Sequence, residues 1–430
     1  MGKKVNIFEK HKYMFFFALI ILFSQFIGNH DKIYDPFSVI ISYHAVDFKI
    51  GCVSRVLPGE IFQWFFSHPT LQNIKYFELA LLVFVVLSAS YFLENLYFSA
   101  KKEENKQIYL YLILIFCISG NTFNMYYRQL GMLDVYWVYA FVFFLAFLQN
   151  KKTWFLIPLS FAFMIAVHYA SLLCYIPLMS TILLYKASAA EEKSEKRYLV
   201  IVFAVSVIVA LSAFIFFHYN EEHNLKMTPE ELKNYLLMKG TDHDEYYLYS
   251  YFKKFSIESP ERELRFDYIE LIKSDRLPAF LKKFINEIAW QTYINISLFK
   301  HIPYAKQDAV RIIVILMSSG VPVLAYIYGT FSKTFSSSKD KLKRFSCLCA
   351  MALFPFTFLS SIIFSYDYAR WYAHAFTCCF IIFFVVLKTE GEKLPILKNN
   401  TISKTEKAVF LLYLVLMFLI RFDPYRVVGT

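Results

Sequence analysis

Apolar stretches, each about as long as the roughly 20-residue helix that crosses the ~30 Å hydrocarbon layer of a bilayer, recur from end to end of this chain. In hydrocarbon no water satisfies the backbone N–H and C=O groups, and a helix satisfies them within one segment. Composition points the same way. The 430 residues are 57% hydrophobic and only 18% charged, with 48 Phe and 32 Tyr; a soluble domain of this size carries more charge and fewer aromatics. The expected fold is all-α, a polytopic transmembrane helical bundle of about eleven spans. They fall near residues 13–29, 75–98, 107–124, 134–149, 153–167, 170–185, 198–218, 309–330, 346–364, 371–387 and 408–420. Residues 1–218 form an N-terminal membrane bundle of about seven spans, and 307–430 add about four more. Between them lies a long polar stretch, 219–306. Tyr13 to Ile27 is apolar but no small-residue cleavage site follows it, so it reads as a retained first span.

The formal charge of +11 is accounted for by lysines in loops that face the cytoplasm, not by a nucleic-acid partner. The N-terminal "MGKKVNIFEKHK" and every second loop thereafter are lysine-rich: "AKKEENK", "QNKK", "KASAAEEKSEKR", "SKTFSSSKDKLKR" and "KTEGEKLPILKNN". This alternation places the N-terminus in the cytoplasm and the loops between on the extracytoplasmic side. The seven cysteines lie mostly within spans. Cys347 and Cys349 form a C-x-C with no His or Cys pair nearby in sequence, so membrane packing explains them.

The extracytoplasmic side collects the unusual polar residues. Asp47, Arg55 and Glu60 lie in "DFKIGCVSRVLPGEIF". Arg128 and Gln129 end the third span, and Asp134 opens the fourth. His168 ends the fifth. Asp367 and Arg370 join the ninth and tenth in "SYDYARWYAH". Charged groups near hydrocarbon are costly, so each invites a functional reading. The plain readings are a snorkelling arginine at 128, a helix-end histidine at 168, an i,i+3 ion pair between Asp367 and Arg370, and a helix N-cap at Asp134. The span centres otherwise read as nearly free of charge.

The chemistry that suits the constellation is glycosyl transfer from a polyprenyl (pyro)phosphate-linked sugar. The lipid lies in the bilayer and its phosphate at the interface, where guanidinium forks match phosphate oxygens. Arg55, Arg128, Gln129 and Arg370, with Asp367 orienting Arg370, would hold that phosphate. Asp47, or else His168, would take the acceptor hydroxyl's proton. No cofactor is demanded; a divalent metal at the outer-loop acid is compatible with the pattern. The 219–306 stretch reads as a helical cap on the extracytoplasmic side. "TPEELKNYLLMKG" predicts a helix with Thr228 as N-cap, Pro229 first, Glu231 as capping-box acid and Gly240 as stop. Further helices are expected from Pro260 to Ser274 and over "LPAFLKKFINEIAWQTYINISLF".

The segment "TFNMYYRQLGMLDVYWVYAFVFFLAFLQNKKTWFLIPLSFAFMIAVHYASLL" resembles the EpsG-like and Wzy-type polysaccharide (O-antigen) polymerases. An Arg-Gln pair ends one span, lysines close a hairpin, and a histidine ends the next span. The resemblance implies roles for Arg128, Gln129 and His168, with a lipid-linked repeat unit and a glycan acceptor as partners on the outer face of a bacterial inner membrane. The early "DFKIGCVSR" is more similar to the GT-C class of integral-membrane glycosyltransferases, which implies a role for Asp47 alone. Polymerase and single-sugar transferase both remain open. A transporter or flippase of a lipid-linked glycan would instead call for charges buried within spans and an inverted repeat. A non-catalytic scaffold would need no such collection of charges.

Overall fold

The computed structural model describes residues 7–27, 38–119, 122, 130, 132–239, 320–364, 368–394 and 404–419. Among these residues every regular element is helical. The principal helices are α1 (Lys12–Ile27), α2 (Ser38–Ala45), α3 (Leu57–Gln63), α4 (Leu71–Ser99), α5 (Glu103–Ile118), α6 (Leu133–Gln149) and α7 (Ile157–Val167). They continue with α8 (Tyr175–Ala189), α9 (Lys193–His223), α10 (Pro229–Met238), α11 (Val321–Ser337), α12 (Lys341–Phe364), α13 (Tyr368–Glu390) and α14 (Lys404–Leu419).

Four of these contain stretches long and apolar enough to cross a membrane: Leu71–Ser99, Lys193–Glu221, Lys341–Ser360 and Arg370–Glu390. Among the described residues, the helices at the other expected positions are shorter. α1 and α5 have 16 residues, α6 has 17 and α7 only 11, against the roughly 20 of an upright crossing. The expected span at 153–167 opens as a 3-10 turn, Lys151–Leu156, before α7 begins. α9 runs past its expected end through Tyr219 to His223.

The long helices differ in what surrounds them. In α13 83% of the apolar window is buried inside the protein; in α9 only 22% is. Val200, Ile201, Val205, Ile208, Leu211, Ile215 and Phe216 of α9 are all exposed, an apolar stripe at helical spacing that water would disfavour and a bilayer would not. α13 is the hub. It packs on α12, α8, α11 and α4, while α6 packs on α7, α4 and α8. At the end of the bundle that carries the lysine-rich loops, ion pairs tie neighbouring helices: Lys151 to Glu195 (2.6 Å), Lys196 to Asp340 (2.7 Å) and Lys343 to Glu390 (2.7 Å).

The expected helix after residue 228 is present. Thr228 accepts a hydrogen bond from the Glu231 N–H, and the Glu231 carboxylate accepts one from the Thr228 N–H, with Pro229 in the first turn. Leu232 and Leu236 of α10 pack against Ala45, Val46, Ile50, Val53 and Val56, so this helix sits on the loop that leaves α2. The helices expected at Pro260–Ser274 and beyond, with Gly240, lie outside the described residues. α2 and α3 meet at Gly59, where a Cβ would come within 1.9 Å of the Val46 carbonyl oxygen; only glycine permits that approach.

Candidate functional site

Two long-separated segments meet at the start of α6 and the start of α13. The N-cap of α6 is Met132, with no side-chain cap. Asp134 therefore does not cap, as the sequence suggested; it lies inside the first turn with its carboxylate turned toward α13. There its Oδ2 accepts a hydrogen bond from His374 Nε2 (2.9 Å) and forms an ion pair with Arg370 Nε (3.4 Å). Arg370 and His374 are four residues apart, hence on one face of α13. Asp134 and His374 are buried, at 6% and 2% exposure, where water screens their interaction little.

These groups line a small cavity of about 90 Å³, together with Tyr43, Trp137, His168 and Trp371. Trp137 is its central wall. Its ring lies 5.6 Å from that of His374, 5.9 Å from His168 and 6.3 Å from Trp371. His168 ends α7 and begins a 3-10 turn, Tyr169–Leu173. Arg55 and Arg370 both lie within electrostatic range of His168. Arg55 adopts a left-handed backbone (φ 77°), which disfavours a side chain by about 1–3 kcal/mol. Its N–H donates to the Ala166 carbonyl (2.9 Å), and Ser54 Oγ donates to that of Ile165 (3.1 Å). The loop after α2 is thereby fixed to the end of α7. Arg370 thus brings a guanidinium to the cavity, and Arg55 brings a second near His168; guanidinium forks suit an anion.

The two histidines carry their protons differently. The Ala170 N–H donates to His168 Nδ1 (3.0 Å), so the His168 proton sits on Nε2 and that nitrogen is a donor. His374 Nε2 donates to Asp134 Oδ2. A carboxylate that orients an imidazole in this way makes the other ring nitrogen the basic one. The carboxylate contact draws attention to His374, which the sequence reading placed inside a span and overlooked. The signal was available: "RWYAH" sets Arg370 and His374 at i,i+4.

Of the residues singled out from sequence, His168, Arg370 and Asp134 line this cavity, and Arg55 lies in electrostatic range of His168 without lining it. Asp47 does not line this cavity. Its Oδ2 accepts from Tyr235 Oη of α10 (2.5 Å) with Lys239 Nζ at 3.8 Å, and its Oδ1 accepts from the Lys49 N–H (2.9 Å). Burial, and then the bond to Asp47, push the Tyr235 phenol above its ordinary range, so it remains a donor. Asp47 thus anchors α10 to the loop, whose fixed geometry carries Arg55. Glu60 accepts from the Phe48 N–H (3.2 Å) in the same loop. Arg128, Gln129 and Asp367 lie outside the described residues; the ion-pair partner shown for Arg370 is Asp134.

The expectation of nearly charge-free spans does not hold for α4. Glu78 and Glu94 are both buried in it. Glu94 Oε2 pairs with His11 Nδ1 (2.8 Å). Glu78 Oε1 lies 2.9 Å from His44 Nε2, and accepts from Tyr136 Oη (2.6 Å). His44 Nδ1 donates to the Ile40 carbonyl (2.7 Å), so a second proton must lie between Nε2 and the carboxylate. The pair is net neutral in either form, which is what full burial requires. It joins α2, α4 and α6 just behind Tyr43.

Among the described residues no three His, Cys, Asp or Glu side chains are grouped to hold a metal ion. No family model, curated protein or solved structure matches this chain.

Proposed function

We propose that this protein is an integral membrane glycosyltransferase, acting on polyprenyl (pyro)phosphate-linked sugars at the extracytoplasmic face in cell-surface glycan assembly. The observation that carries this reading is the Asp134–His374 pair set beside Arg370 in a cavity that His168 also lines, with Arg55 in electrostatic range of His168. It combines an oriented proton acceptor with a cationic, aromatic-walled cavity at a helix end. In the proposed reaction Arg370 and Arg55 hold the donor's phosphate, and His168 Nε2–H donates to an oxygen of it. His374, oriented by Asp134, takes the proton of the acceptor hydroxyl. That oxygen bonds to the sugar's anomeric carbon, and the bond from this carbon to the phosphate oxygen breaks. The electron pair leaves with the polyprenyl (pyro)phosphate. Trp137 and Trp371 offer faces for a sugar ring. About eleven spans, an inner N-terminus and an extracytoplasmic cap that includes α10 complete the proposal.

The buried His44–Glu78 pair favours one rival, a transporter or flippase of lipid-linked glycan, because such proteins place ionisable groups inside spans. The test separates them. In membranes bearing the protein, His374→Gln should slow release of polyprenyl (pyro)phosphate from lipid-linked sugar by about 10²–10⁴-fold, the usual contribution of a positioned base. The variant should remain in the membrane. Unchanged release by His374→Gln and Arg370→Ala would remove the enzymatic assignment.

A further inference from the structure

A second cavity lies beyond the Trp137 wall and runs away from the polar site along the same helices. It holds about 400 Å³ and is lined almost wholly by apolar side chains of α4, α6 and α13, among them Phe92, Phe141, Leu145, Ile381 and Phe384. Phe84 and Phe143, both more than two-fifths exposed with rings 6.4 Å apart, stand at its open side. On α6 it extends from Val138 to Gln149, about 16 Å at the helical rise. That is close to half of the ~30 Å hydrocarbon layer, the depth one chain of one leaflet occupies.

At its far end the groove continues into a further space of about 260 Å³, sharing Phe92, Leu145 and Gln149 with it. Here the lining changes character: Lys186 of α8 and Lys388 of α13 enter with Thr389, and among the described residues no carboxylate lines the space. Lys388 Nζ sits 5.2 Å over the Phe92 ring. The two ammoniums are near enough to repel one another. Glu195 lies in electrostatic range of Lys186, but it already binds Lys151 at 2.6 Å. Two cations from different helices beside an uncharged chamber of one-leaflet length complement an anionic amphiphile.

We infer that this groove is a binding site for an anionic phospholipid, with one acyl chain between α4, α6 and α13 and its phosphate on Lys186 and Lys388. The site is at the opposite end of α13 from Arg370, so it does not depend on the glycosyl-transfer reading. Arginine and lysine divide the two sites in keeping with their chemistry: a fork where orientation matters, point charges where only charge does.

The test is native mass spectrometry of the purified protein titrated with phosphatidylglycerol or phosphatidylcholine in detergent. The wild-type protein should retain phosphatidylglycerol with a preference of ~10-fold or more, the least that one charge-assisted hydrogen bond confers. Lys186→Gln/Lys388→Gln should lower phosphatidylglycerol retention to the phosphatidylcholine level. Ala146→Phe, which fills the groove, should reduce both lipids. Lys152→Gln, on an exposed turn, should leave the preference intact. Equal retention of the two lipids by the wild-type protein, or a preference that survives the double lysine substitution, would overturn the inference.

Discussion

Asp134 joins positions 240 residues apart, and a sequence offers no direct sign of such a meeting. Its neighbours were only partly legible. Arg370 stood out as a charge between apolar runs, whereas His374, one turn further, looked like one polar residue inside a span. Asp47 was legible as an unusual acid, but its role is set by Tyr235 and Lys239 of a helix nearly two hundred positions away. Glu78 is the sharpest case at this scale, because a carboxylate in a helix as apolar as α4 is explained only by His44, Tyr136 and Tyr139 around it. Glu78→Gln keeps the shape but removes the counter-charge of the shared proton. Removal of one partner from a buried pair should destabilise the protein by roughly 3–5 kcal/mol, read as a lowered thermal unfolding midpoint in detergent. A midpoint equal to that of the wild-type protein would mean that the pair contributes nothing to the fold.

Elements were easier to read than contacts. Thr228, Pro229 and Glu231 specify the start of α10 by local chemistry alone, and the capping box forms as their order dictates. The length of the apolar runs likewise marked α4, α9, α12 and α13. It misplaced boundaries where the chain departs from regular helix, as at Lys151–Leu156, because hydropathy does not distinguish a 3-10 turn from the first turn of a span. The capping box also makes a pH prediction. Bonds from the Thr228 backbone and side chain lower the Glu231 carboxyl below its ordinary range. Its contribution is therefore present above the unfolded glutamate range and is lost as pH falls through the lowered folded value. The protection of amides 230–238, their exchange rate measured against that of the unstructured chain at the same pH, should be high at neutral pH and fall in acid. Thr228→Ala, which removes an N-cap worth about 1 kcal/mol, should accelerate exchange at neutral pH and flatten that acid dependence. A wild-type pH response retained in Thr228→Ala would show that the cap does not hold α10.

At the scale of the whole molecule, α13 organises the rest. One end presents Arg370 and His374 to Asp134, and the other carries Lys388 and Glu390 to a lysine-bearing rim. Its burial inside the bundle follows from its neighbours: α12, α8, α11 and α4 cover it, while α9 turns its apolar stripe outward. The all-helical class and the presence of membrane-length helices were legible from apolar run length. Among the described residues four helices have that length, and the count of about eleven spans stays part of the proposal. The central claim, that the cavity between α6 and α13 transfers sugar from a lipid carrier, is tested most directly by deleting the gene in its host. The surface glycan and the lipid-linked sugar pools are then compared with those restored by the wild-type protein and by His374→Gln. The account predicts a glycan cut to a single repeat or lacking one sugar, with lipid-linked precursor accumulating on the outer leaflet, and rescue by the wild-type protein only. Unchanged pools, or precursor held on the cytoplasmic leaflet, would contradict it.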